Sequence, residues 1–314
     1  MAVAFVFPGQ GSQTVGMGKV LAAGFPPARQ VFDEVDEALG AELSTIVFEG
    51  PAETLTLTEN AQPALMAVSL ATLRVLEQEA DLDLKRDAQF VAGHSLGEYS
   101  ALAAAGAFTI ADTARLLRLR GQAMQKAVPV GIGAMAALIG LEFDAAAAVA
   151  AEAAQGQVCQ AANDNGAGQV VVSGDKAAVE RAVEIAKTKG AKRAMLLPVS
   201  APFHCALMQP AADVMAQALA KVNIKPPLMP VVANVLAKPI SEPAEIVAAL
   251  IAQVTGTVRW RESVAVMAAA GVTTFYEVGA GKVLSGLIKR IAAGASATAI
   301  GSPEDIAAFK AARA

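Results

Sequence analysis

The segment Phe90-Val91-Ala92-Gly93-His94-Ser95-Leu96-Gly97-Glu98-Tyr99 places an apolar run before Gly-x-Ser-x-Gly and an alanine-rich stretch after it. Chance alone yields about 0.08 matches to that pattern at this serine and glycine content, so the strand-then-helix setting carries the signal. In such a setting the glycines permit a tight turn that thrusts Ser95 above a sheet. The following helix then aims its first N–H groups at developing negative charge. A serine hydroxyl needs a base, and the chain has two histidines. His94 adjoins Ser95 on the turn, so its ring is expected to point away. His204 is left, in Val199-Ser200-Ala201-Pro202-Phe203-His204-Cys205. The chemistry expected is nucleophilic acyl transfer. Cys205 is a poor rival nucleophile, because it adjoins His204 and no second base exists.

The apolar run at the N-terminus ends in Pro8-Gly9-Gln10-Gly11-Ser12-Gln13. A phosphate-binding loop would need lysine where Met17 stands, and Gly9, Gly11 and Thr14 lack the third glycine of a dinucleotide fingerprint. The loop could instead pair a backbone N–H with that of Leu96 around an oxyanion, or be an ordinary surface turn.

These residues need a scaffold. Short apolar runs alternate with amphipathic or alanine-rich stretches, the pattern of an α/β protein with a mainly parallel sheet. Strands are expected at Val3 to Phe7, Gln89 to Ala92, Pro230 to Ala233 and Thr273 to Val278. Helices are expected at Ala61 to Glu79, Gly97 to Ala105, Ala111 to Lys126, Cys205 to Lys221 and Trp260 to Ala269. Between Val128 and Pro198 the order becomes βαββαβ, a ferredoxin-like unit. Its strands are expected at Ala134 to Ile139, Val158 to Ala162, Gln169 to Ser173 and Ala194 to Leu197, with helices at Asp144 to Gln155 and Lys176 to Lys189. The expected fold is therefore a large α/β-hydrolase-like domain, residues 1–127 and 199–314, with an inserted subdomain, 128–198, and a binding cleft between them.

Composition narrows the function. The chain is 54% hydrophobic, but 72 residues are alanine and 4% aromatic, so its apolarity comes from small side chains. The longest stretch without Asp, Glu, Lys or Arg, Ala194 to Ala212, contains three prolines, and no membrane span is expected. Ala2 to Phe7 has no basic flank and reads as a buried strand rather than a signal peptide, which leads to an expectation of cytoplasmic residence. Cys159 and Cys205 show no CxxC spacing, so reduced thiols and no metal site are expected. A net charge of −4 offers no general attraction to nucleic acid.

Several ordered blocks carry a resemblance. Pro8 to Gln13, Asn60-Ala61-Gln62-Pro63-Ala64-Leu65, Gly93 to Leu102, Arg120-Gly121-Gln122-Ala123-Met124-Gln125, Pro202 to Met208 and Gln253 to Trp260 together resemble the malonyl-CoA:acyl carrier protein transacylases. The likeness runs on to Gly279-Ala280-Gly281-Lys282-Val283-Leu284. It departs from the family in having Ala167 and Ala280 where proline is usual. The resemblance implies Ser95 as nucleophile and His204 as base. It further implies an oxyanion hole from the backbone N–H groups of Gln10 and Leu96, Arg120 as the grip on the malonyl carboxylate, Gln253 as the main-chain partner that orients the histidine, and Asn165 in the substrate cleft. It implies malonyl-CoA and acyl carrier protein as substrates, with no bound cofactor, and a monomer is expected. Lys282, Lys289 and Arg290 are candidates for meeting an acidic carrier protein. Against this stand a serine esterase, a catalytically silent carrier-binding subunit, and an acyltransferase for another CoA ester such as methylmalonyl.

Overall fold

The computed structural model describes residues 2–313. Its strands are β1 (Ala2–Phe7), β2 (Phe90–Gly93), β3 (Gly133–Ile139), β4 (Cys159–Asp164), β5 (Gln169–Asp175), β6 (Arg193–Leu196), β7 (Val231–Ala233), β8 (Lys238–Ile240), β9 (Val272–Val278) and β10 (Ser296–Ile300). Six form a sheet in the order β10-β9-β1-β2-β7-β8, parallel except for the last pair. The other four form an antiparallel sheet in the order β4-β5-β3-β6. The fold is thus mixed α/β, with one mainly parallel sheet and one separate antiparallel sheet. Among the described residues, no helix is long and apolar enough to cross a membrane.

Residues 4–7 of β1 and all of β2 are buried, as expected of central strands covered on both faces. The helix Thr58–Ala80 buries 18 of its 23 residues and lies in the main core, where a helix apolar all round belongs. It packs against the helix Ile110–Ala127 at Gly121, where an added Cβ would lie 2.5 Å from Glu59 Cα. That close approach brings Arg120 of one helix to Gln62 of the other.

The antiparallel sheet follows a period of two. Ala136, Leu138, Val170 and Val172 pack on the helices Phe143–Ala154 and Lys176–Thr188. Met135, Ala162 and Val171 belong instead to the core of the larger body. A parallel bridge, Asn163 to Val258, joins the edge strand β4 to that body.

The expected strands and most expected helices lie within a few residues of their observed limits. One helix start is corrected. Cys205 to Met208 lies outside the regular helix, which spans Gln209–Leu219 after a short 3-10 turn at Ala206–Met208. His204 has φ 59° and Cys205 is extended, so neither can begin a right-handed helix. Unanticipated were β8, β10 and several helices, among them Pro243–Thr255 and Val283–Ile291.

The turn after β2 depends on missing side chains. A Cβ on Gly93 would lie 1.9 Å from the Gly97 carbonyl, and one on Gly97 would lie 2.3 Å from Phe7 O. Gly97→Ala should therefore cost about 1–3 kcal/mol by overpacking. Gly286→Ala, in a helix and with nothing within 4 Å of its Cβ, should instead raise the thermal midpoint slightly. Thermal melts of the two variants check the contrast, and equal midpoints would contradict it.

Candidate active site

Ser95 sits between β2 and the helix Leu96–Ala104 with φ 53° and ψ −110°, a strained backbone that lifts its side chain out of the turn. Its Oγ lies 2.7 Å from His204 Nε2. His204 Nδ1 lies 2.8 Å from the carbonyl oxygen of Gln253. A carbonyl only accepts, so Nδ1 carries the proton and Nε2 presents its lone pair to the serine hydroxyl. Gln253 is in the last turn of the helix Pro243–Thr255, where carbonyls lack intrahelical partners. The helix end also carries partial negative charge, which favours an imidazolium forming there.

Arg120 is 1% exposed. Its Nη1 donates to Gln62 Oε1 at 2.6 Å, and its Nη2 donates to Gln253 Oε1 at 2.8 Å and to Ser95 Oγ at 3.2 Å. Among the described residues its hydrogen-bond partners include no carboxylate, so its charge faces the cavity held by neutral amides. The chain of bonds continues: Gln62 Nε2 donates to Thr58 Oγ1 at 2.8 Å, and Thr58 Oγ1 donates to Gln10 Oε1 at 3.0 Å. The arginine and the loop at Gln10 are thereby fixed to each other. The other two arginines of that helix diverge, Arg118 half-buried against Asn60 and Arg115 exposed.

These groups line a cavity of about 490 Å³, with Met124, Met135, Leu197 and Phe203 supplying apolar wall. Gln10 and Leu96 line it, and among the described residues the backbone N–H of neither has an acceptor in the protein. Two such donors can hold an oxyanion.

The remaining expectations are placed as follows. His94 turns away from Ser95, its Nε2 lying 2.9 Å from Asn165 Oδ1 and its ring 5.8 Å from that of Trp260. Asn165 braces His94 and is not on the cavity wall. The asparagine that lines the cavity is Asn163, within β4, whereas Asn165 lies beyond the end of that strand at Asp164. Cys205 is buried, donates to Pro202 O, and has its thiol pKa pushed up by burial, all contrary to a nucleophile.

Gln62, Glu98 and Asn234 were not foreseen as site residues. Glu98 is 1% exposed, and its Oε2 accepts from Asn234 N at 3.0 Å and from Gln253 Nε2 at 2.8 Å. Gln253 Nε2 also donates to Ser95 O at 3.0 Å. A signal existed in the acidic residue opening an alanine-rich helix, a place where a carboxylate is usually solvated.

Burial raises the Glu98 pKa to about 7, outweighing the hydrogen bonds from Gln253 and Asn234 and the charge of Arg120. Burial, then the charge of Arg120, holds His204 down at about 3, so its imidazole is neutral near pH 7. The two act on stability in opposite directions. Glu98 binds its proton more tightly when folded, so its contribution is full below 4.5 and is lost as pH rises through about 7. His204 resists protonation when folded, so its contribution is full above 6.5 and is lost as pH falls toward about 3. Relative to the native protein, the thermal midpoint of Glu98→Gln should therefore rise as pH increases across the neutral range. That of His204→Gln should rise as the solution is made more acid. A pH-independent difference for either variant would contradict the assignment.

The acyl transferase domain model matches residues 4–306. The malonyl CoA-acyl carrier protein transacylase of Escherichia coli (strain K12) is 50% identical over 305 residues, 97% of this chain and 97% of its own. The acyl-carrier-protein-S-malonyltransferase of Bartonella henselae, a crystal structure, matches with TM-score 0.97 and 58% identity over 100% of this chain and 99% of its own. A structure of a type II PKS acyl-carrier protein in complex with its malonyl-transacylase matches with TM-score 0.95 and 44% identity over 99% and 100%. The likeness extends through the elbow, the second sheet and the loops of the cavity alike, and from it the chain belongs to the acyl transferase family.

Proposed function

We propose that this chain transfers a malonyl group from malonyl-CoA to the phosphopantetheine thiol of acyl carrier protein, supplying malonyl-carrier protein for fatty acid biosynthesis. The observation that carries the reading is Ser95 Oγ lying between His204 Nε2 and Arg120 Nη2 in one cavity. Malonyl has one methylene between its thioester and its carboxylate. A cation beside the nucleophile suits so short a diacid, and a planar guanidinium can grip a carboxylate with two hydrogen bonds.

In the first step His204 Nε2 takes the Ser95 proton as Oγ attacks the thioester carbonyl. The oxyanion is held by the N–H groups of Gln10 and Leu96, and its collapse expels the CoA thiolate, which takes the proton from His204. A malonyl-serine ester remains. In the second step His204 takes the proton of the phosphopantetheine thiol, whose sulfur attacks the ester through a second oxyanion; its collapse breaks the Ser95 ester bond, Ser95 Oγ recovers the proton from His204, and malonyl-carrier protein leaves. Positioning, a proton relay and oxyanion stabilisation suffice, and the enzyme uses no cofactor of its own. On this reading the enzyme acts as a monomer in the cytoplasm. The reading divides the chain into an α/β-hydrolase-like body, residues 1–127 and 199–314, and an inserted ferredoxin-like unit, 128–198. The βαββαβ order of β3 to β6 supports that division. The exposed Lys282, Lys289 and Arg290 are the surface offered to an acidic carrier protein.

Radiolabelled malonyl-CoA should leave label on the native enzyme and none on Ser95→Ala. Arg120→Ala should lose malonyl transfer on the order of 10²-fold or more, since a buried carboxylate would lack its partner. Its activity with acetyl-CoA relative to malonyl-CoA should rise. Equal losses for the two donors, measured by transfer to holo carrier protein, would overturn the role of Arg120.

A further inference from the structure

A nucleophile on a strained turn is only as well aimed as the backbone that carries it, so each backbone polar group of the elbow must find a partner. His94 N donates to Phe7 O at 3.1 Å, and His94 O accepts from Gly97 N at 2.9 Å. Ser95 O accepts from Glu98 N at 3.0 Å and from Gln253 Nε2 at 3.0 Å. Two groups on either side of the nucleophile remain, the Gly93 carbonyl and the Ser95 N–H. One side chain takes both: Asn234 Nδ2 donates to Gly93 O at 2.7 Å, and Asn234 Oδ1 accepts from Ser95 N at 2.7 Å.

Asn234 is itself immobilised. It follows β7, which pairs in parallel with β2 through Val91 with Val231 and Ala92 with Val232, and this register carries it to the elbow. It is fully buried. Its N–H donates to Glu98 Oε2 at 3.0 Å and its carbonyl accepts from Arg259 N at 3.0 Å. The side-chain amide has one workable orientation, because a flip would set NH2 against the Ser95 N–H and oxygen against the Gly93 carbonyl.

We propose that Asn234 is a positioning residue for acyl transfer, a clamp whose amide bridges the Gly93 carbonyl and the Ser95 N–H, with Glu98 as its anchor. This rests on the reading of Ser95 as nucleophile. The clamp occupies the Ser95 N–H and leaves that of Leu96 to the oxyanion. It also holds φ at Ser95 positive, so that Oγ stays within reach of His204 Nε2 at 2.7 Å and Arg120 Nη2 at 3.2 Å. Asn234 is not on the cavity wall, so it acts through Ser95 and not through substrate.

The test is single-turnover acylation by malonyl-CoA, followed across donor concentrations for the native enzyme, Asn234→Ala, Asn234→Asp and Ser95→Ala, with thermal melts to establish the folded fraction. For folded Asn234→Ala the acylation rate constant should fall on the order of 10²-fold, the scale of a misplaced reacting group. The half-saturating concentration should stay within about twofold, since no substrate contact is removed. A residue with a merely structural part would lower the melting temperature and leave the rate of the folded fraction unchanged. An acylation rate within about threefold of native would overturn the proposal. If Asn234→Ala fails to fold, the isosteric Asn234→Asp carries the test, with a loss of about tenfold expected and a native rate overturning the clamp. Ser95→Ala separates the two claims. Acyl-enzyme formed by that variant would overturn the nucleophile reading and the clamp together, whereas an inert Ser95→Ala beside a native-like Asn234→Ala overturns the clamp alone.

Discussion

The hydrogen bond from His204 Nδ1–H to the Gln253 carbonyl is the constraint on which the site depends. An imidazole can accept a serine proton only at a nitrogen that does not already carry one, and a fixed acceptor at the other nitrogen decides which that is. Here the acceptor is a main-chain oxygen near the end of a helix, so the tautomer is set by secondary structure. A carbonyl cannot titrate, and its hold on the base is the same at every pH at which the helix is folded. Ser95 then needs only to be delivered to the bare nitrogen, and the strained turn after β2 does that.

The polar groups around this pair are mostly neutral, and that has an electrostatic reason. Under the function proposed above, a carboxylate in direct contact with Arg120 would compete with that of the malonyl group. Gln62 and Gln253 fix the guanidinium in direction while leaving its charge largely unspent. The buried carboxylate of the region, Glu98, is kept one amide away, with Gln253 between the acid and the base. Burial of ions is costly, but the opposite signs at this separation moderate the penalty for both.

What could be read beforehand follows from how each residue acts. Ser95 and His204 were legible because one lies in a short motif and the other was the remaining base. The strands β1, β2, β7 and β9 were legible as apolar runs bounded by turns, and the βαββαβ order as a change in rhythm. Arg120 shared its helix with Arg115 and Arg118 and gave no sign of burial on its own. It entered through family resemblance. Glu98, Gln62 and Asn234 act through partners 58 to 155 positions distant in sequence, and no local pattern shows such pairing. Asn165 was carried over from the family likeness; here its side chain meets His94 and Asn163 lines the cavity, a difference that depends on where β4 ends.

The second sheet has two apolar faces, and the chain uses both. One is covered by its own pair of helices, while Met135, Ala162 and Val171 complete the core of the larger body. Main-chain bonds from Asp164 N to Val258 O and from Val258 N to Ala162 O sew its edge to that body, and Arg261 pairs there with the buried Asp164. An excised copy of the segment would turn an apolar surface to water, and the remainder would be left with an open wound in its interior. Heat should therefore melt the molecule in one cooperative transition, with the roof of the catalytic chamber and its floor lost together.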